Sequence, residues 1–381
     1  MMDGVTMTDG VTKIDKTTRT QEVFSAETPL VMECGAELAP VSVAYETYGT
    51  LNPAGDNAVL VCHALTGSAH AAGQTGDDPR TAGWWDPMIG PGRPLDTDAL
   101  FVVCSNFLGG CYGTTGSASP NPATGKPYGL AFPPVTVRDM VRTQASLLKR
   151  LGVRSLLTVL GGSLGGMQVL EWPLLYPGFV RSIIPIATAA QHSPWCIGLN
   201  DLARQAIMQD PAWRDGDYYS HGQPERGLSL ARQIAMVSYR SDVSFLNRFG
   251  RTTTAPPDPG KFRNQLTAMY QVERYLRYQG EKLVNRFDAN TYLYISRAMD
   301  THDVTRDRGT LQEVLGSIPI PALCVGIDSD ILYPLHEQRA IADLLPHGVC
   351  REIHSPFGHD AFLIEYEQLG ASVRAFLGNV T

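Results

Sequence analysis

The run Leu156-Leu157-Thr158-Val159-Leu160-Gly161-Gly162-Ser163-Leu164-Gly165-Gly166 places a serine between glycines, where an apolar, strand-like stretch gives way to helical spacing. A Gly-x-Ser-x-Gly turn in that setting is a nucleophile elbow. It holds the serine in a strained backbone conformation, exposes its hydroxyl, and needs small residues at Gly161 and Gly165 so that neighbouring chain can approach. The chemistry it predicts is acyl transfer through Ser163. The first amides of the following helix have no intrahelical acceptor, and that of Leu164 is predicted to face a developing oxyanion. An ordinary glycine-rich strand-to-helix turn is the bland alternative, so the partners matter.

Elbows of this kind take their acid and base from later in the chain, in the order serine, aspartate or glutamate, histidine. His359 stands in the turn-rich Ser355-Pro356-Phe357-Gly358-His359-Asp360, just after the run Cys350 to His354. Imidazole titrates near neutrality, which suits a general base. His354 ends a strand-like run and His336 falls on a predicted helix, so both are weaker candidates. For the acid, Ile327-Asp328-Ser329-Asp330 offers two aspartates directly after the apolar run Ala322 to Ile327. Either can orient an imidazole, and the other then serves as a loop-stabilising residue. A second oxyanion donor belongs in the loop after an early strand; Val61-Cys62-His63-Ala64-Leu65-Thr66-Gly67 fits, with the amide of Leu65 as donor and His63 as a structural residue.

These groups need a scaffold. Short apolar runs at Ala58 to Cys62, Leu100 to Cys104, Leu156 to Leu160, Ile183 to Ala187 and Ala322 to Ile327 read as buried strands. Helical spacing falls between or after them, at Val137 to Leu151, Leu164 to Tyr176, His336 to Leu345 and Ile364 to Leu377. That alternation predicts an α/β fold with a mostly parallel sheet. Pro29 to Glu33 and Val41 to Thr47, around Gly35, predict an antiparallel hairpin leading into the sheet. From about His192 to Val304 strand-like runs disappear and helical stretches such as Leu228 to Tyr239 and Leu266 to Tyr278 take over. The expected organisation is a flexible tail over residues 1–20, an α/β core over 21–190 and 305–381, and a helical lid inserted at 191–304.

Composition narrows the class. The chain has 381 residues, 43% hydrophobic and 18% charged, enough for one large core and something extra. No apolar run is long enough for a membrane span. With 31 Lys and Arg against 38 Asp and Glu, the net charge of -7 has the wrong sign for a nucleic-acid partner. The polar start lacks the apolar core of a secretory signal, and the seven cysteines form no CxxC pair, so a cytoplasmic location is expected. No HExxH or Cys/His cluster is present, so no metal is expected.

Beyond the elbow, several long motifs stand together: Cys62-His63-Ala64-Leu65-Thr66-Gly67, Gly83-Trp84-Trp85-Asp86, Ile89-Gly90-Pro91-Gly92, Leu108-Gly109-Gly110-Cys111, Tyr275-Leu276-Arg277-Tyr278-Gln279-Gly280, Arg286-Phe287-Asp288-Ala289-Asn290 and Gly358-His359-Asp360-Ala361-Phe362-Leu363. With Gly161 to Gln168 they cover nearly the whole chain after residue 20, which resembles the homoserine O-acetyltransferases of the α/β-hydrolase superfamily. The resemblance implies Ser163 as nucleophile and His359 as base, and it selects Asp330 as the acid. It also implies that Arg232 holds the carboxylate of an amino-acid substrate and that Asp360 meets its ammonium or reacting hydroxyl. The spacing of Leu228, Arg232 and Met236 agrees, since an unpaired guanidinium on an apolar helix stripe wants a carboxylate.

The implied reaction moves acetyl from acetyl-CoA, as cosubstrate, to L-homoserine through an acetyl-serine, with no permanently bound cofactor. Relatives that use succinyl groups place an arginine two residues after the triad aspartate, where this chain has Leu332, so acetyl is expected. The resemblance further implies a homodimer, with the lid helices as its expected interface. The competing readings are an esterase with the same triad, a homoserine O-succinyltransferase, and an acyltransferase with another acceptor such as serine.

Overall fold

The computed structural model describes residues 18–74, 81–254 and 270–380. An eight-stranded sheet carries it: β1 (Arg19–Phe24), β2 (Val41–Tyr48), β3 (Ala58–Cys62), β4 (Phe101–Ser105), β5 (Leu156–Gly162), β6 (Ile183–Ile186), β7 (Ala322–Ile327) and β8 (Gly348–Ile353). Their spatial order is β1-β2-β4-β3-β5-β6-β7-β8. The β1–β2 and β2–β4 pairs are antiparallel and the rest parallel. Strands β3 to β7 are buried at every position, because helices cover both faces of a parallel sheet, and this is why they read as unbroken apolar runs. Edge strand β8 alternates instead.

On the faces lie α1 (Val137–Arg150), α2 (Leu164–Leu175), α8 (Leu311–Gly316), α9 (Leu335–Leu344) and α10 (Tyr366–Leu377). Between β6 and β7 the chain leaves the sheet and forms α3 (Pro194–Met208), α4 (Glu225–Tyr239), α5 (Asp242–Phe249), α6 (Gln271–Val284) and α7 (Ala289–Asp300). This insertion departs and returns through one neck. The His192 N–H donates to His302 O at 3.0 Å, and the Val304 N–H to Ala190 O at 3.0 Å.

Three expectations need correction or restriction. The hairpin forms, but its second arm is Glu37–Leu38 paired with Leu30–Val31, not Val41 to Thr47. Pro40 has no N–H to continue that ladder, and Val41 starts β2, which pairs with β1 and β4 instead. The tail does not reach residue 20, since Arg19 and Thr20 already pair with Tyr45 and Ala44. β1 is an edge strand whose polar residues Arg19, Thr20 and Glu22 are exposed, which is why its composition resembled a tail. The start of the helix expected over Leu266 to Tyr278 lies outside the described residues, as do residues 1–17; the described helix α6 continues to Val284.

Candidate active site

β5 delivers the chain to Ser163, whose φ of 59 and ψ of -126 are strained for a residue with a Cβ. The conformation is held from several sides. The Ser163 N–H donates to Ile186 O at 3.0 Å and Ala187 O at 3.2 Å, and Thr188 Oγ1 donates to Ser163 O at 2.8 Å. A Cβ on Gly161 would lie 2.4 Å from Cys62 O, and one on Gly165 2.1 Å from the same atom. The end of β3 therefore packs directly on the elbow, and only glycine fits at either position.

The two aspartates after β7 take different histidines. Asp330 Oδ2 lies 2.7 Å from His359 Nδ1, while its Oδ1 accepts the N–H groups of Leu332 at 2.8 Å and Tyr333 at 2.9 Å. Asp328 Oδ2 instead lies 3.1 Å from His354 Nδ1, and its Oδ1 accepts the Ser355 N–H at 3.0 Å. The first pair is buried; His354 is 74% exposed. Asp328, Glu352 and His354 bring ligating atoms within 4.8 Å of one another at the surface. His336 is exposed on α9.

His359 lies in a short helical turn, Gly358–Leu363, after β8. A carboxylate on Nδ1 places the imidazole proton there and leaves the Nε2 lone pair free to accept one. The ring stands 5.4 Å from Phe362 and 5.2 Å from Tyr333 between centroids. Phe362 presses on the elbow, 2.5 Å from where a Cβ on Gly162 would be, and Tyr333 lines the same chamber as Ser163. His359 and Ser163 thus share their neighbours. The N–H groups of Leu65 and Leu164 donate to no protein acceptor among the described residues, as an anion-binding pair requires. His63 is buried against Phe107, and burial pushes its pKa down to about 4, so it is a neutral packing residue.

The insertion closes the site. The chamber, about 20 Å³, is lined by Ser163, Cys196, Tyr239, Tyr292, Leu332 and Tyr333 among others, and Leu332 is only 6% exposed. On α4, the Arg232 guanidinium lies 5.4 Å from the Tyr239 ring centroid and has no carboxylate partner among the described residues. Tyr239 in turn stands 5.8 Å from the His359 ring. Asp360 is already engaged, with Oδ2 3.1 Å from Arg240 Nε. Burial raises its carboxyl pKa, against the opposing charges of Arg240, Arg232 and His359. Arg240 was missed in the sequence because its partner lies on the far side of the insertion, and no local spacing links them.

Among the described residues no helix is long and apolar enough to cross a membrane, and all seven cysteines are free. The family model for the alpha/beta hydrolase fold matches residues 57–366. A homoserine O-acetyltransferase of Carboxydothermus hydrogenoformans is 52% identical over 352 residues, 91% of this chain and 92% of the relative. Among solved structures, the homoserine O-acetyltransferase from Bacillus anthracis superposes with a TM-score of 0.87 at 29% identity, covering 95% of this chain and 98% of that one. Esterase E22 superposes almost as well, with a TM-score of 0.86 at 30% identity over 94% of this chain and 99% of its own. Backbone shape therefore does not separate transferase from esterase, but the half-identity to curated acetyltransferases over nearly the full length does, and the chain belongs to the homoserine O-acetyltransferase family of α/β-hydrolase fold proteins.

Proposed function

We propose that the protein transfers an acetyl group from acetyl-CoA to the hydroxyl of L-homoserine, forming O-acetylhomoserine for methionine biosynthesis in the cytoplasm. Ser163 Oγ attacks the thioester carbon as His359 Nε2 takes its proton; the tetrahedral oxyanion is met by the amides of Leu65 and Leu164. Collapse breaks the carbon–sulfur bond, and the proton passes from His359 to the departing CoA thiolate. The homoserine hydroxyl then gives its proton to His359 and attacks the acetyl-serine. The second tetrahedral intermediate expels Ser163 Oγ, which recovers the proton. Asp330 holds the imidazole in orientation throughout.

The observation that carries this reading is Arg232, a half-buried guanidinium that makes no salt bridge among the described residues and lies one aromatic ring away from His359. It supplies what an esterase has no use for: a grip on the acceptor's carboxylate. With Asp360 facing the acceptor's ammonium beside Arg240, the hydroxyl gains a high effective concentration at the acyl carbon relative to water. A narrow chamber walled by neutral Leu332 supports acetyl over succinyl. The exposed Trp195, Leu202, Leu230, Val237 and Leu246 on α3 to α5 supply apolar area for a homodimer through these helices.

Thiol release from acetyl-CoA, measured with and without homoserine, tests the transfer. Release no faster with homoserine than without it would leave an esterase. The acyl mass found on Ser163 after exposure to acetyl-CoA or succinyl-CoA without acceptor decides the donor.

A further inference from the structure

The loop carrying Asp330 is tied to the inserted helices by groups that the reaction does not consume. Tyr333, fully buried, contacts His192 Nε2 through its hydroxyl at 3.0 Å, and His192 Nδ1 stands 3.3 Å from Asp300 Oδ1. Asp300 lies 2.7 Å from Arg204 Nη1 and accepts from Asn200 Nδ2 at 2.8 Å. Burial by itself would raise the Asp300 carboxyl pKa, but His192, Asn200 and Arg204 hold it below its ordinary value. His192 Nδ1 makes no hydrogen bond among the described residues, and with its proton there, beside the Asp300 carboxylate, Nε2 accepts from the Tyr333 hydroxyl. Next to it, Cys196 Sγ of α3 donates to Leu332 O at 3.1 Å. Leu332 and Tyr333 are the residues whose N–H groups hold Asp330 Oδ1.

Building on the triad assignment above, we propose that His192 and Tyr333 are positioning residues: through them the inserted helices, anchored at Asp300 and Arg204, hold the Asp330 loop so that its carboxylate meets His359 Nδ1 in line. The inserted domain is then a working part of the triad as well as its cover. The geometry asks for such a brace, because Asp330 sits on an irregular loop with no ladder of its own, and displacements of about 1 Å in a catalytic group cost on the order of a hundredfold.

Tyr333→Phe keeps the ring and the N–H but removes the hydroxyl. His192→Asn keeps a polar group near Asp300 but is too short for Tyr333, whereas the terminal amide of His192→Gln reaches it. Single-turnover kinetics should find Ser163 acetylation and transfer to homoserine slowed by the same factor, about tenfold, in Tyr333→Phe and His192→Asn. The homoserine KM should stay within about twofold, and the far-downfield NMR proton of the His359–Asp330 bond should move upfield. His192→Gln should restore most of the rate and the resonance. Wild-type rates with an unmoved resonance in both broken variants would overturn the proposal, as would a His192→Gln protein no better than His192→Asn, or a change confined to KM. The two breaks come from opposite sides of one bond, so a variant that does not fold leaves the other to decide. Ser163→Ala separates the layers: if it is inactive while His192→Asn is fully active, only the brace fails, and if it retains turnover the triad assignment itself fails.

Discussion

Helix α2, which follows Ser163, is buried from Leu164 to Pro173, whereas α5 of the insertion buries only Phe249 and leaves Val243 and Leu246 in solvent. The two regions are held by different physics. Around the elbow, backbone touches backbone at Gly161 and Gly165, and position is fixed by close packing that leaves no room to adjust. The inserted helices reach the loops carrying Asp330 and His359 largely through polar contacts: Cys196 to Leu332, His192 to Tyr333, Ser241 Oγ to the Pro356 carbonyl, and Arg240 to Asp360. Gly358 meets the backbone of Arg240 and Ser241 at a φ of 68, so the base's loop is also gripped from the insertion. In the proposed mechanism the packed core carries the chemistry and the looser layer selects what it acts on.

Substitutions on the two sides of this divide should behave differently. Ser163→Ala should lower thiol release by about 10,000-fold or more and abolish the acetyl adduct seen by intact mass, while leaving the melting temperature nearly unchanged. On the insertion side, Arg232→Met should lower kcat/KM for homoserine by about a hundredfold but leave acetylation of Ser163, followed by mass, within about threefold. Equal loss of both steps would erase the division of labour. Gly165→Ala should destabilise by about 3 kcal/mol in denaturant unfolding, because the new methyl meets a carbonyl that cannot retreat. Leu246→Ser, by contrast, should shift the stability of the separated protomer, measured at a concentration where the proposed homodimer is dissociated, by no more than about 0.5 kcal/mol.

A pH-dependent effect comes from the neck. His302 is buried with Nε2 3.1 Å from Ala189 O, and burial, aided by His192, pushes its pKa down from 6.5 to about 3. The unfolded chain therefore binds a proton that the folded chain refuses. Stability is fully present above 6.5 and is lost as pH falls from there toward about 3, at up to about 1.4 kcal/mol per pH unit for this group. Melting curves between pH 7 and 5 should fall less steeply for His302→Gln, which retains a donor to Ala189 O without the titration.

The same divide governs what could be read from the sequence. β3 and β7 run over the residues their apolar stretches predicted, Ala58–Cys62 and Ala322–Ile327, because fully buried strands leave an unambiguous local signal. The elbow was legible for the same reason. Asp328 and Asp330 were equivalent by position, and what separates them is which histidine each one faces across the ends of β7 and β8. Arg240, His192 and Tyr333 were overlooked because their partners, Asp360 for Arg240 and each other for His192 and Tyr333, are brought near only by the fold. The hairpin arm was misplaced where Pro40 interrupts a run whose hydrophobicity continues through it.

The neck has one more consequence, for the order of events as the chain is made. Ile186 of β6 pairs with Val325 of β7 although the whole insertion lies between them, so this pairing closes a very long loop and is slow for entropic reasons. During vectorial synthesis Ser163, Leu65, Leu164 and the described inserted helices emerge before Asp330 and His359. On the proposed triad, a nascent or truncated chain therefore carries Ser163 without its base. Under the proposed mechanism, competence comes only after the last strands, so activity reports completed folding.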